Sequence, residues 1–126
     1  MSIIHPTQEQ IDELNTISNQ GPLVMVNMLR FQPEGGVSFY EKYSQLIMPI
    51  LAKIGAHVIY YTSDTKTFIG DDTWDAVLLV QYPSRAAFYK MIRDKEYIEA
   101  SQYRTHALVD SRLYITRPQY VAWDNP

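Results

Sequence analysis

Hydrophobic and polar positions change period several times along the chain, and each change marks an element. Thr7–Ser18 places Ile11, Leu14 and Ile17 at helical spacing, which gives a narrow apolar stripe. Thr7, with Gln10 three residues on, reads as a capping box. Asn19-Gln20-Gly21-Pro22 ends this helix, because glycine accepts left-handed angles and proline cannot continue a helix. Leu23–Phe31 is apolar at consecutive positions, the mark of a strand covered on both faces. After the turn Pro33-Glu34-Gly35-Gly36, Ser38 and Glu41 predict a second capping box and a helix to about Ile54. Phe39, Tyr43, Leu46, Ile47, Ile50, Leu51 and Ile54 form its stripe, Pro49 is expected to kink it, and Gly55 ends it. His57–Phe68 and Trp74–Tyr82 read as strands around the turn Gly70-Asp71-Asp72. Ser84 caps a helix through about Asp94, a short helix follows over Lys95–Tyr103, and Arg112–Thr116 is the last strand. The tail holds Tyr120, Val121 and Trp123 and is too apolar to float free.

After the first helix the order is β-α-β-β-α-β. That is the α+β ferredoxin-like unit, a four-stranded antiparallel sheet with helices on one face. One domain over residues 1–126 is expected, with its core at 22–117, an added N-terminal helix at 7–18 and a tail at 118–126. Strand parity sorts the two faces. In Trp74–Tyr82 the wholly apolar set Trp74, Ala76, Leu78, Val80 and Tyr82 is expected under the helices, with Asp75, Val77, Leu79 and Gln81 on the other side. In the last strand Leu113 and Ile115 point inward, and Arg112, Tyr114 and Thr116 outward. Asn27 is the only polar residue of the first strand before Arg30. Since an unpaired buried polar group costs about 1–3 kcal/mol, Asn27 is assigned to the open face with Met25 and Leu29. A bare face of this kind is a large apolar patch, and a second copy related by a twofold axis is its cheapest cover. The expected assembly is a homodimeric α/β barrel.

Composition narrows the function classes. The 126 residues contain no cysteine, which excludes disulfides, thiolate metal sites and a cysteine nucleophile. No apolar run approaches the ~18 residues of a membrane span. Gln8, Glu9, Asp12 and Glu13 stand where a secretion signal needs an apolar stretch, so a cytoplasmic protein is expected. The net charge of −3 gives no general attraction to nucleic acid. Gly-rich phosphate loops, a GxSxG elbow and HExxH spacing are absent, so no cofactor and no metal are expected. Asp71, Asp72 and Asp75 lack the calcium-loop pattern and read as a solvated turn.

The candidate chemistry rests on a few residues. Asn27 either presents a donor and acceptor to a ligand or makes a structural hydrogen bond. Arg104, beside Tyr103 and His106, either holds an anion in a bidentate fork or pairs with Asp75, Asp110 or a helix C-terminus. His57 and His106 are candidate general bases, because imidazole titrates near neutrality; the plainer reading is a hydrogen-bonded structural residue. Trp74 and Tyr114, with Tyr40, Tyr43, Tyr60, Tyr61 and Tyr82, offer an aromatic wall for a flat ligand, or are core.

Further residues carry a family resemblance. Val26-Asn27-Met28-Leu29-Arg30-Phe31, Gly55-Ala56, Trp74-Asp75, Pro83-Ser84-Arg85-Ala86-Ala87, Tyr97 and Tyr103-Arg104, in that order, resemble the family called domain of unknown function thirteen-thirty. That family lies within the dimeric α+β-barrel superfamily. The resemblance covers about residues 22–117 and implies the fold and the dimer. Superfamily relatives include cofactor-free monooxygenases, lactone isomerases and haem enzymes, but a fold does not transfer function. The leading expectation is a homodimer that binds a small molecule at the barrel interior or the sheet–helix junction, through Asn27, Arg104, Trp74 and Tyr114. One alternative is a cofactor-free oxygenase or isomerase with His57 or His106 as base, acting on an aromatic or carboxylate-bearing substrate. Another is a structural dimer without a ligand.

Overall fold

Residues 3–120 are described by a computed structural model of the chain. The elements run α1 (Gln8–Leu14), β1 (Leu23–Phe31), α2 (Gly36–Lys53), β2 (His57–Thr62), β3 (Ala76–Tyr82), α3 (Arg85–Ile92), α4 (Lys95–Ala107) and β4 (Leu108–Thr116). The strands form one antiparallel sheet in the order β2-β3-β1-β4, so β1 is an inner strand held on both sides. The α+β ferredoxin-like expectation holds.

The helix starts follow from local chemistry, with one exception. Thr7 Oγ1 accepts from the Gln10 N–H at 3.2 Å while Gln10 Oε1 accepts from the Thr7 N–H at 2.9 Å, the reciprocal capping box. Ser84 Oγ accepts from the Ala87 N–H at 3.1 Å and starts α3. The box expected at Ser38 and Glu41 does not form. Helix α2 begins three residues earlier, behind Gly35 at φ +78°, a left-handed angle that favours glycine. The buried stripe of α2 accordingly runs through Tyr40, Tyr43, Ile47 and Leu51, with Phe39 turned outward.

Two strands differ in length from the sequence reading. Strand β2 ends at Thr62, and the chain leaves as an arm whose tip, Phe68 and Ile69, is 96% and 87% exposed. The arm is fastened by side chains: Thr67 Oγ1 donates to the Asp72 carbonyl at 2.6 Å, and Thr65 Oγ1 to that of Trp74. Helix α4 runs on to Ala107 and β4 starts directly at Leu108, four residues ahead of the expected strand. Of the tail, Tyr120 is exposed; Val121 and Trp123 lie outside the described residues.

The core sits between the sheet and the helices. Leu23, Met25 and Leu29 of β1 are fully buried there with Ala76 and Val80 of β3, Tyr43 and Leu51 of α2, and Ala100 of α4. The assignment of Met25, Asn27 and Leu29 to the open face is therefore corrected. In β1 it is Leu23, Met25, Asn27 and Leu29 that are buried, and Val24, Val26, Met28 and Arg30 that look away. For β3 and β4 the parity is as expected: Leu78 and Leu113 lie opposite Asn27 on the helix side, and Leu79 and Tyr114 opposite Val26 on the open side.

The end of the helix layer is closed by an unusually near approach. A Cβ at Gly36 would stand 2.8 Å from the Ala107 carbonyl oxygen and 3.0 Å from the Phe31 Cβ. The carbonyl is backbone and the Phe31 Cβ is bonded directly to backbone, so neither yields freely. Gly36→Ala is expected to destabilise the fold by about 1–3 kcal/mol, the usual range for overpacking, as measured by urea unfolding at unchanged m-value.

Candidate functional site

Between the sheet and the helices lies a cleft of about 1730 Å³. Its inner wall is apolar and aromatic, formed by Met25, Val80, Tyr40, Tyr43, Ile47 and Tyr82. Its outer part passes beneath an N-terminal strap of residues 3–6 and past Leu14, Leu113 and Ile115.

The strap is tied to the rest by three bonds. The Ile3 N–H donates to Asp110 Oδ1 at 2.7 Å, Ser111 Oγ donates to the Ile3 carbonyl at 2.6 Å, and Arg104 Nη1 donates to the Ile4 carbonyl at 3.3 Å. The strap thus bridges α4 and β4. Asp110 also takes Arg112 at 2.8 Å and Arg30 at 3.4 Å. The Ile3 N–H holds the Asp110 carboxyl below its ordinary value, with burial opposing and Arg112 and the Ser111 N–H adding to the effect.

Arg104 stands where the two parts of the cleft meet. It reaches the strap at Ile4, and its charge acts on the phenols of Tyr40, Tyr43 and Tyr82. Among the described residues it has no carboxylate partner: Asp110 is taken by Arg30 and Arg112, and Asp75 Oδ2 accepts from the Phe31 N–H at 2.8 Å. The ion pair considered for Arg104 does not form. Burial raises the phenols of Tyr40, Tyr43 and Tyr82 above the ordinary 10.0, and the Arg104 charge offsets this only in part. All three therefore stay protonated donors at neutral pH. Tyr82 Oη contacts Met91 Sδ at 3.9 Å, and a side-chain hydrogen bond between Tyr43 and Tyr97 adds to the rise at Tyr43.

Asn27 lines this cleft and is 8% exposed. Its Nδ2 donates to the Leu78 carbonyl at 3.3 Å, with a longer approach of 3.5 Å to that of Met25. Those partners offset the burial cost that the sequence argument had used to place it outside. Tyr114, half exposed on edge strand β4, borders the outer part of the cleft. The remaining candidates lie elsewhere. Trp74 precedes β3 and does not join the helix-side wall; its ring is approached by Arg30, 4.7 Å from the ring centre, and by Arg112, 5.2 Å from it. His57 is exposed at the start of β2, opposite Gln81 on the open side. His106 is exposed on the last turn of α4, with its ring 5.8 Å from that of Phe39. Neither histidine lines the cleft. Sequence reasoning missed the strap and Tyr97, which lines the cleft from α4. The only signal for the strap was the pair Ile3-Ile4 ahead of the first cap. Among the described residues no group of acidic and histidine side chains has the arrangement of a metal site, and no helix is long and apolar enough to cross a membrane.

A four-stranded antiparallel sheet with its helices on one side and a cleft between the layers defines a ferredoxin-like α+β protein. The chain belongs to the domain of unknown function family DUF1330, which it matches over residues 37–117. It is 32% identical to RPA0582, a protein of unknown function from Rhodopseudomonas palustris, with a TM-score of 0.90 over 96% of this chain and 100% of that one. Two more distant structures share the fold. A dimeric ferredoxin-like protein of unknown function from Bacteroides fragilis is 10% identical, with a TM-score of 0.56 over 78% of this chain and 97% of that one. A candidate antibiotic biosynthesis monooxygenase from Bacteroides thetaiotaomicron is 12% identical, with a TM-score of 0.62 over 85% and 98%. No curated protein matches the chain.

The buried phenols make stability depend on alkaline pH. Their folded values lie above that of the unfolded chain, so their contribution is complete below about pH 10 and is lost as pH rises further. The urea midpoint is expected to fall above about pH 10, and less steeply in Tyr40→Phe/Tyr82→Phe than in the parent. Equal slopes in the two proteins would contradict the assignment.

Proposed function

We propose that this protein is a homodimer that binds a small molecule in the cleft between sheet and helices of each subunit. The observation that carries the reading is the cleft itself. It is a cleft of about 1730 Å³, partly open to solvent, that adjoins the packed layers of sheet and helices. Its lining is the usual make-up of a ligand site, an apolar wall with a few polar groups set into it. Arg104, Asn27, Tyr40 and Tyr43 are among those groups, with Gln10 and Glu41.

The dimer reading rests on the other side of the sheet. Val24, Val26, Met28, Val77 and Leu79 give that side an apolar middle, flanked by half-exposed Tyr60 and Tyr114. An apolar sheet face of this extent calls for cover, and a twofold copy provides it. The arm tip at Phe68 and Ile69 adds to the surface available for a partner. A fold neighbour from Bacteroides fragilis is described as dimeric, which agrees with this reading. An enzyme with a histidine base draws no support from the geometry, since His57 and His106 lie away from the cleft.

Light scattering is expected to give the mass of two chains, and Val26→Asp, which sets a charge in the middle of the open face, the mass of one. A thermal-shift series with small aromatic and carboxylate compounds is expected to find stabilising members. A ligand at about 100 times its Kd adds about 2.7 kcal/mol to the folded state. A series with no stabilising member, together with a dimer that survives, would leave a structural dimer without a ligand.

A further inference from the structure

We propose that the ligand is a carboxylic acid with an apolar or aromatic body, and that Arg104 receives its carboxylate in exchange for the Ile4 carbonyl. This rests on the cleft being the binding site and adds the chemical class of its occupant.

Arg104 is a cation in the cleft wall that forms no ion pair among the described residues, although Glu13, Glu41 and Asp75 also line the cleft. Its one hydrogen bond among the described residues runs from Nη1 to a neutral carbonyl at 3.3 Å, at the long end of the range. A guanidinium carries five N–H donors in a planar fork, so most of its capacity is unused. Arg30 and Arg112 show the contrast, for both are matched by Asp110. A carboxylate fits the fork bidentately, and charge-assisted bonds are roughly twice as strong as neutral ones. An entering carboxylate therefore displaces the Ile4 carbonyl from Arg104.

The neighbours suit a single negative charge. The phenols of Tyr40 and Tyr43 are held protonated, so they donate to an anion instead of repelling it. One guanidinium with neutral donors around it matches a monoanion better than a phosphate, which draws on several cations or on a row of backbone N–H groups. The apolar part of the wall is Met25, Ile47, Val80 and Phe88, which suits hydrocarbon, while Gln10, Glu41, Ser44 and Ser101 line other parts of the cleft.

Isothermal titration with octanoate and with octanol, two probes that differ in the carboxylate, tests the idea on the full chain. Octanoate is expected to bind about tenfold or more tightly than octanol. Arg104→Gln should abolish that preference while leaving octanol affinity unchanged, and Arg104→Lys should retain part of it and control for folding. Equal binding of the two probes by the parent, or a preference that survives in Arg104→Gln, would overturn the carboxylate reading and leave the cleft reading intact. Failure of both probes to bind the parent would overturn both.

Discussion

The structure depends on β1 being apolar on both faces while it is hydrogen-bonded along both edges. An inner strand of this kind cannot be satisfied by one layer of helices. Leu23, Met25 and Leu29 take the cover that α2 and α4 give. Val24, Val26 and Met28 are left on a sheet face that has no layer of its own. The same strand thus places the packed interior on one side and an uncovered apolar surface on the other. Every other strand is oriented by it, because β3 and β4 take their register from β1 and β2 from β3.

The cleft follows from how the helix layer is fixed. At Gly36 the start of α2 comes so close to Phe31 and the end of α4 that a methyl group has no room. Elsewhere the layer is held up by aromatic side chains. The Phe31, Tyr40 and Tyr43 rings succeed one another at 5.4 Å, and Tyr82 meets Phe88 edge-on at 4.9 Å. Tyr40, Tyr43 and Tyr82 all line the cleft. The chain has ten tyrosines in 126 residues, and these three are among them.

Most of the fold was legible because period and capping are local. Thr7 with Gln10, and Ser84, marked helix starts that the structure keeps, and the alternation in Ala76–Tyr82 gave its inner face correctly. The facing of β1 was not legible. With apolar residues at both parities only Asn27 could decide, and it pointed the wrong way, because its amide finds the Leu78 carbonyl on the buried side. A hydrogen bond to a strand distant in sequence leaves no trace in a periodicity. The start of α2 was misread for a related reason: a left-handed Gly35 opens that helix without a capping side chain, so Ser38 looked like the better signal. Arg104 was legible as a candidate, but its lack of an acidic partner became visible only when Asp110 was seen to be occupied by Arg30 and Arg112. The strap could not be found at all, since its attachment to Asp110 and Ser111 spans more than a hundred residues of sequence.

The stacking of two guanidinium groups on Trp74 gives the molecule a built-in optical gauge. The chain has two tryptophans, and Trp74 is the one within the described residues. Its indole is approached by Arg30 and Arg112, whose strands present them to the uncovered sheet side. Indole emission shifts in colour with the polarity and charge around the ring, so light from this residue registers whatever comes to lie on that surface. The opposite side of the sheet, where Arg104 stands, is screened from it by the thickness of the strands.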